Sequence, residues 1–386
     1  MTPKTFSALV VVAVLVSGAA LFSANERYGK DRSDRSESIL FPNLLARVND
    51  VSRVDIIDVE NTITIEQYDS KWLVTSKNRF PADGAKVREA VFGLSQLRTI
   101  ESKTAMAERY SRLEVQNVTE PSAKSHLWRL KNVEDEVVAE IIVGRQRFDL
   151  GGVESRGVYV RKAGEAQSWL ARGKLPIDQR PVQWLDRTAM DIQVDRVHRV
   201  TTINTDDARF TTIKDAPGDE HFRIDNLPKD FILNEEWQKD VNRLGTVLSG
   251  LRLDDVEPVE NFDFSSSDVV RAEVESFGGL IVRISMRKIA NGGIEKWWVI
   301  FETAVAPNAK ALPNFLEEKV AGESVSPKEH PDANARIGTP KEILLEVEAI
   351  NKRVKGWAYH ISEYRAKPMH LRLIDLEAKS NFDQAL

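Results

Sequence analysis

Residues 271–301 read RAEVESFGGLIVRISMRKIANGGIEKWWVIF, and this stretch decides the fold. Three runs, Arg271 to Phe277, Leu280 to Arg287 and Ile294 to Phe301, are rich in β-branched and aromatic residues. Gly278-Gly279 and Asn291-Gly292-Gly293 separate them. Glycine reaches positive φ without steric cost, so both separators suit hairpin turns. The pattern predicts an antiparallel three-strand meander. The strand–helix–strand alternation of a parallel nucleotide-binding sheet is missing.

The flanks of the meander have helical spacing. On its N-terminal side Trp237, Val241, Leu244, Leu248 and Leu251 recur at intervals of 4, 3, 4 and 3, which lays one apolar stripe along a helix. Asn234 suits its N-cap, and Glu235 and Glu236 its positive dipole end. Val197, Val200 and Ile203 predict an earlier strand, followed by Phe222-Arg223-Ile224. On the C-terminal side Thr339-Pro340-Lys341-Glu342 is a capping-box signature ahead of Ile343, Val347, Ile350 and Val354. Trp357, Tyr359 and Ile361 then alternate as a strand.

The first half repeats this order. Val54, Ile56 and Ile57, then Ile63 and Ile65, predict two strands, and Lys71-Trp72-Leu73-Val74 a third. Pro81 precedes a helix with Val87, Val91, Leu94 and Leu97 on one face. His126 to Leu130, Val137 to Val143 and Gly157 to Val160 form the next strands. Leu94-Ser95-Gln96-Leu97-Arg98 and Leu248-Ser249-Gly250-Leu251-Arg252 end the two helices alike, which argues for internal duplication. The expected fold class is therefore α+β: two tandem duplicated units, residues 41–190 and 191–386, each an antiparallel sheet with packed helices. The second carries an irregular insertion near 303–338, where residues 303–340 hold five of the fifteen prolines. Residues 305–338 read as a tolerated surface insertion, with a partner-contacting loop as the sharper alternative, because long irregular connections in compact domains are usually functional or disordered.

Ahead of both units, Phe6 to Ala24 is FSALVVVAVLVSGAALFSA, 19 residues without a charge. A helix of that length spans roughly 28 Å, close to the hydrocarbon thickness of a bilayer. A retained anchor and a cleaved signal peptide both fit; the run through Leu21 and Phe22 favours a transmembrane helix over residues 1–25. Residues 26–40 read as a charged tether.

Of 386 residues, 42% are hydrophobic and 29% charged, a globular composition. A net charge of −5 gives no basic field for nucleic acid. With no cysteine, thiolate chemistry, Cys-ligated zinc and disulfides are excluded. The six histidines, His126, His198, His221, His330, His360 and His370, include no helical i, i+4 metal pair. His126 and His360 lie in strand-like runs, and His330-Pro331-Asp332 reads as a turn. Gly151-Gly152 and Gly157 read as a hairpin loop, since no helix begins there to hold a phosphate. There is no Gly-x-Ser-x-Gly elbow. Acidic pairs such as Asp254-Asp255 and Glu317-Glu318 are what 59 acids place on wet faces. Trp297-Trp298 reads as core or interface anchoring, with a sugar-stacking platform as the sharper alternative. No catalytic residue, cofactor or metal ligand is assigned, and the chain is expected not to be an enzyme.

Several segments taken together resemble a bacterial family called domain of unknown function 4340. They are Phe41 to Val51, Trp72, Pro81-Ala82-Asp83, Glu108-Arg109-Tyr110-Ser111-Arg112-Leu113, Gly144, Gly157-Val158-Tyr159-Val160-Arg161 and Trp184-Leu185-Asp186-Arg187. The resemblance is strongest over about residues 40–190 and weaker through Trp357-Ala358-Tyr359. Members usually carry glycine where this chain has Glu114. The resemblance implies one N-terminal membrane segment, an extracytoplasmic body and association with ABC-transporter components of the gliding-motility type. It brings no catalytic residues. Arg27, Lys30, Arg32 and Arg35 follow the apolar run whereas only Lys4 precedes it, which by the positive-inside rule keeps the body in the cytoplasm. Long domains translocate largely regardless of such charges, and the resemblance decides for the outside. The expectation is a single-pass inner-membrane protein with a periplasmic body, a non-catalytic scaffold or accessory subunit among ABC-transporter subunits. The alternative is a periplasmic glycan- or peptide-binding module.

Overall fold

The computed structural model describes residues 37–148, 150, 156–176, 178–291, 293–307 and 338–378. The expected anchor over 1–25, most of the tether, Gly151-Gly152, His330 and most of the insertion lie outside the described residues. Among the described residues no helix is long and apolar enough to cross a membrane. The chain divides into two compact units, Met1–Asp186 and Arg187–Leu386.

The first unit is built on one ten-stranded sheet. Its strands are β1 (Ser38–Ile39), β2 (Arg53–Ile57), β3 (Thr62–Tyr68), β4 (Lys71–Val74), β5 (Phe80–Pro81), β6 (Arg98–Ser102), β7 (His126–Lys131), β8 (Val137–Arg147), β9 (Gly157–Lys162) and β10 (Ser168–Arg172). They lie in the order β1-β6-β10-β9-β8-β7-β2-β3-β4-β5. Helix α1 (Leu44–Arg47) is a single turn; α2 (Gly84–Ser95) buries Val87, Val91 and Leu94. Both faces of the sheet are covered. Trp128 stands opposite Ile141, and Trp184 meets its ring edge-on at 5.8 Å. On the other face Ile142, Tyr159 and Leu170 enclose a cluster with Tyr110 and Val115.

The second unit has an eight-stranded sheet and a two-stranded one. The small sheet pairs β11 (Thr188–Met190) with β15 (Leu251–Arg252). The large one contains β12 (Val197–Ile203), β13 (Arg209–Ile213), β14 (Arg223–Ile224), β16 (Asp255–Pro258), β17 (Val270–Ser276), β18 (Leu280–Asn291), β19 (Ile294–Val305) and β20 (Trp357–Ile361). Their order is β14-β13-β12-β17-β18-β19-β20-β16. This matches β4-β3-β2-β7-β8-β9-β10-β6 of the first sheet, strand for strand along the chain. The lead-in strands correspond too: β1 faces Arg98 and β11 faces Arg252, the arginines that close the two similar pentapeptides.

One face of the eight-stranded sheet is apolar, through Val200, Ala272, Val274, Val282, Ile284, Val299 and Phe301. Helices α3 (Trp237–Gly245) and α4 (Pro340–Val354) and the one-turn α5 (Glu363–Ala366) belong to this unit. Asn351 of α4 is locked to β19: its side chain accepts from the Thr303 N–H and donates to the Thr303 carbonyl, both at 2.9 Å. The opposite face is wet, with Arg283 and Glu273 paired across β18 and β17 at 3.0 Å.

The expected α+β class, with helices packed on each sheet, is corrected by this architecture. Three antiparallel sheets of twenty strands dominate five α-helices among the described residues, and two of those helices have four residues each. The helix expected through Leu251 stops at Gly245, and that expected through Leu97 stops at Ser95. Leu97, Leu248 and Leu251 are buried, but by the turns and strands that follow. Their spacing recorded burial rather than helix. Strands such as β6 (RTIES) and β13 (RFTTI) carry too few apolar residues for a period of two to show.

Candidate functional site

A cleft of about 580 Å³ opens on the wet face of the eight-stranded sheet. Strand register places its residues. Asp255 of β16 stands opposite His360 of β20, His360 opposite Trp298 of β19, and Trp298 opposite Arg287 of β18. Lys296 and Ile289, opposite one another, lie in the next row, and Glu257 two residues beyond Asp255. The segment after β16 lines the rim with Asn261, Phe262 and Asp263. Phe262 covers the indole of Trp298 at 4.5 Å between ring centres, which leaves Trp298 only 7% exposed.

The charges in the cleft are arranged. The Arg287 guanidinium donates to the Asp268 carboxylate at 2.8 Å and to the Asp263 carbonyl at 3.1 Å. Donation from the Ser265 hydroxyl and backbone, with Arg287 near, holds the Asp263 carboxyl below the usual carboxylate range. Ser266 and Arg287 do the same for Asp268. Burial lowers the His360 pKa against the pull of Asp254, favouring a neutral ring. The cleft thus joins carboxylates on β16, an aromatic floor on β19 and cations on β18 and β19. Among the described residues no group of three or more His, Asp or Glu is placed to hold a metal ion.

Trp297 and Trp298 point to opposite faces. The Trp297 indole N–H donates to Glu363 at 2.6 Å, and its ring lies 4.6 Å from that of His370. With Phe262 over Trp298, neither indole presents an open face, so the sugar-platform reading lacks the flat surface it needs. His126 is buried and shares a 2.7 Å hydrogen bond with the Gln179 amide. His198 bonds the Lys214 carbonyl at 2.8 Å, and His221 the Asn242 amide at 2.9 Å.

The residues that carry the family resemblance meet elsewhere, inside the first unit. Asp83 caps α2, accepting from the N–H groups of Ala85 and Lys86 at 3.0 Å. Pro81-Ala82-Asp83 is bound to Trp184-Leu185-Asp186 by a bridge between Ala82 and Leu185, flanked by Asp83 N–H to Trp184 and Asp186 N–H to Pro81. The Tyr110 hydroxyl donates to the Ala166 carbonyl, and the Arg161 guanidinium lies 4.5 Å over the Tyr110 ring. Arg161, 4% exposed, donates to the carbonyls of Val115 and Glu165 and to the Asn117 side chain. The Asn117-Val118-Thr119 triplet, formally a glycosylation acceptor, therefore has its asparagine engaged.

The family described as Domain of unknown function (DUF4340) matches residues 72–267, just over half of the chain. The chain belongs to this family. Neither the curated proteins nor the solved structures contain a significant match. The DUF4340 match runs from Trp72 in β4 to the segment after Phe264, so it includes Asp255, Glu257 and Asp263 but stops short of Arg287, Lys296 and Trp298. The cleft thus combines a rim inside the DUF4340 match with a floor outside it. Sequence reading singled out Trp298 alone among these residues and treated Asp254-Asp255 as chance acids. Only the register of four strands, drawn from three separate segments, brings them together.

Proposed function

We propose that this DUF4340 protein is a non-catalytic scaffold or accessory subunit of an ABC-transporter-linked complex, held in the inner membrane by one N-terminal span with its body in the periplasm. One observation carries the non-catalytic part. The residues that resemble the family, Asp83, Tyr110, Gly144, Arg161 and Trp184, are consumed in a cap, a close approach of backbone, a stacked guanidinium and core packing. A family whose shared residues hold a β-fold together is suited to presenting surfaces. The uncharged run from Phe6 to Ala24 supports the anchor. The family resemblance supports the periplasmic side and the transporter link. A tether raises the local concentration of the body at a membrane partner, so modest contact areas suffice for docking.

The test is purification of tagged full-length protein from detergent-solubilised membranes. Transporter subunits are expected to copurify, and protease added to spheroplasts is expected to digest the body. Recovery without any transporter subunit, or a body digested only after lysis, contradicts the proposal. The cleft favours a second reading, a periplasmic ligand-binding module.

A further inference from the structure

From the corner where the chain enters the first unit, we infer a lipid-contacting surface, formed by Phe41, Pro42, Leu45, Ala46 and Phe92, that rests on the bilayer holding the N-terminal span. The inference deepens the proposed function and rests on its membrane anchor. Ser38 to Ala46 reads SILFPNLLA, nine residues without a charge in a chain that is 29% charged. Leu44 turns inward and is buried, whereas Pro42, Leu45 and Ala46 are exposed, Leu45 by 47%. Phe41 is half-buried, with the Lys162 ammonium 5.4 Å from its ring centre. On α2 the outward positions end at Phe92, which is 55% exposed.

Three ties hold this corner to the sheet. Glu37 pairs with Arg172 of β10, and the Ser38 and Thr99 hydroxyls share a hydrogen bond of 2.8 Å. The Leu40 N–H donates to the Leu97 carbonyl, also at 2.8 Å. Leu97 lies just past the end of α2, so α1 packs beside the helix turn that carries Phe92. The ions nearby are matched: Arg47 donates to Asp50 at 3.3 Å, and Lys174 pairs with Glu89. The surface therefore offers a bilayer apolar side chains rather than net charge, and their transfer out of water is favourable.

Lengths decide which side of the unit meets the bilayer. Twelve residues, Asn25 to Ser36, separate the uncharged run from Glu37. A free chain of that length has an end-to-end distance of roughly 20 Å. A unit of about 150 residues has a radius of gyration of roughly 15 Å, so its far side lies beyond that distance and its entry corner within it. Tethering keeps the corner at high effective concentration, and a contact of a few side chains then suffices.

The chain has no cysteine, so Ala46→Cys and, as control, Met106→Cys each take a single fluorophore. Met106 is 50% exposed and leads into the turn of Tyr110, on the opposite face of the sheet. Each labelled full-length protein is reconstituted into phosphatidylcholine vesicles whose acyl chains carry a nitroxide quencher. The label at 46 is expected to be quenched at least about threefold more strongly than that at 106. Adding Leu45→Glu and Phe92→Glu is expected to bring it down to the control. Equal quenching at the two positions, or quenching at 46 that survives both substitutions, overturns the inference. Flotation of the vesicles separates the two claims. Protein that floats with equal quenching refutes the surface alone, and protein left at the bottom refutes the anchor and the surface with it. The comparison of 46 with 106 keeps Leu45 and Phe92 in place, so it stands even if the glutamate variant fails to fold.

Discussion

Glu114 adopts φ +58°, in the left-handed region. A side chain there meets its own backbone, and glycine avoids that cost. The glycine that the family resemblance implies at this place would avoid the strain that this chain bears. Glu114→Gly is expected to stabilise the fold by about 0.5–1 kcal/mol, read as a higher urea midpoint with unchanged slope. Gly144 shows the opposite constraint. A Cβ there falls on the carbonyl oxygens of Leu113 and Glu114, 2.6 Å from the latter. Gly144→Ala is expected to cost at least about 2 kcal/mol in the same assay, because the obstruction is backbone. Gly144 was visible in the sequence as a family match and Glu114 as a departure; the reasons were not, since φ and close approach are properties of the folded chain. Burial lowers the pKa of His126, His360 and His370 alike. The unfolded chain takes up protons as pH falls through about 6.5, while these folded rings resist. Stability is therefore full above that pH and declines below it. The thermal midpoint is expected to fall between pH 7.5 and 5.5, and His126→Gln to flatten the decline.

At the level of elements, α4 was the most legible. Thr339 accepts from the Glu342 N–H, and the Glu342 carboxylate accepts from the Thr339 N–H at 2.6 Å. Thr339→Ala is expected to cost about 1 kcal/mol, measured by chemical unfolding. Arg196 and Glu346 fix the same helix with paired hydrogen bonds of 2.9 and 2.7 Å, a contact 150 residues apart that no local pattern announces. Asn234 shows how a cap signal misleads. Its side chain accepts from the Glu236 N–H at 3.0 Å and forms a turn, while α3 starts at Trp237. The meander from Arg271 to Phe301 was read correctly because glycine turns mark its ends. β6, β13 and β16 escaped because strands that gain stability from neighbours need little apolar periodicity of their own.

Across the molecule, the matching strand orders of the two large sheets rest on patterns visible in the chain: two similar pentapeptides and two strand–helix successions. The dominance of sheet over helix was not visible, because buried leucines in turns imitate helical spacing. The cleft was the least legible feature, since β16, β18, β19 and β20 come from segments up to a hundred residues apart. The most direct test of the scaffold account is crosslinking mass spectrometry in intact cells with a lysine-reactive reagent. Links from lysines of the two units to the extracytoplasmic parts of transporter subunits are expected. Links confined to cytoplasmic proteins contradict the account.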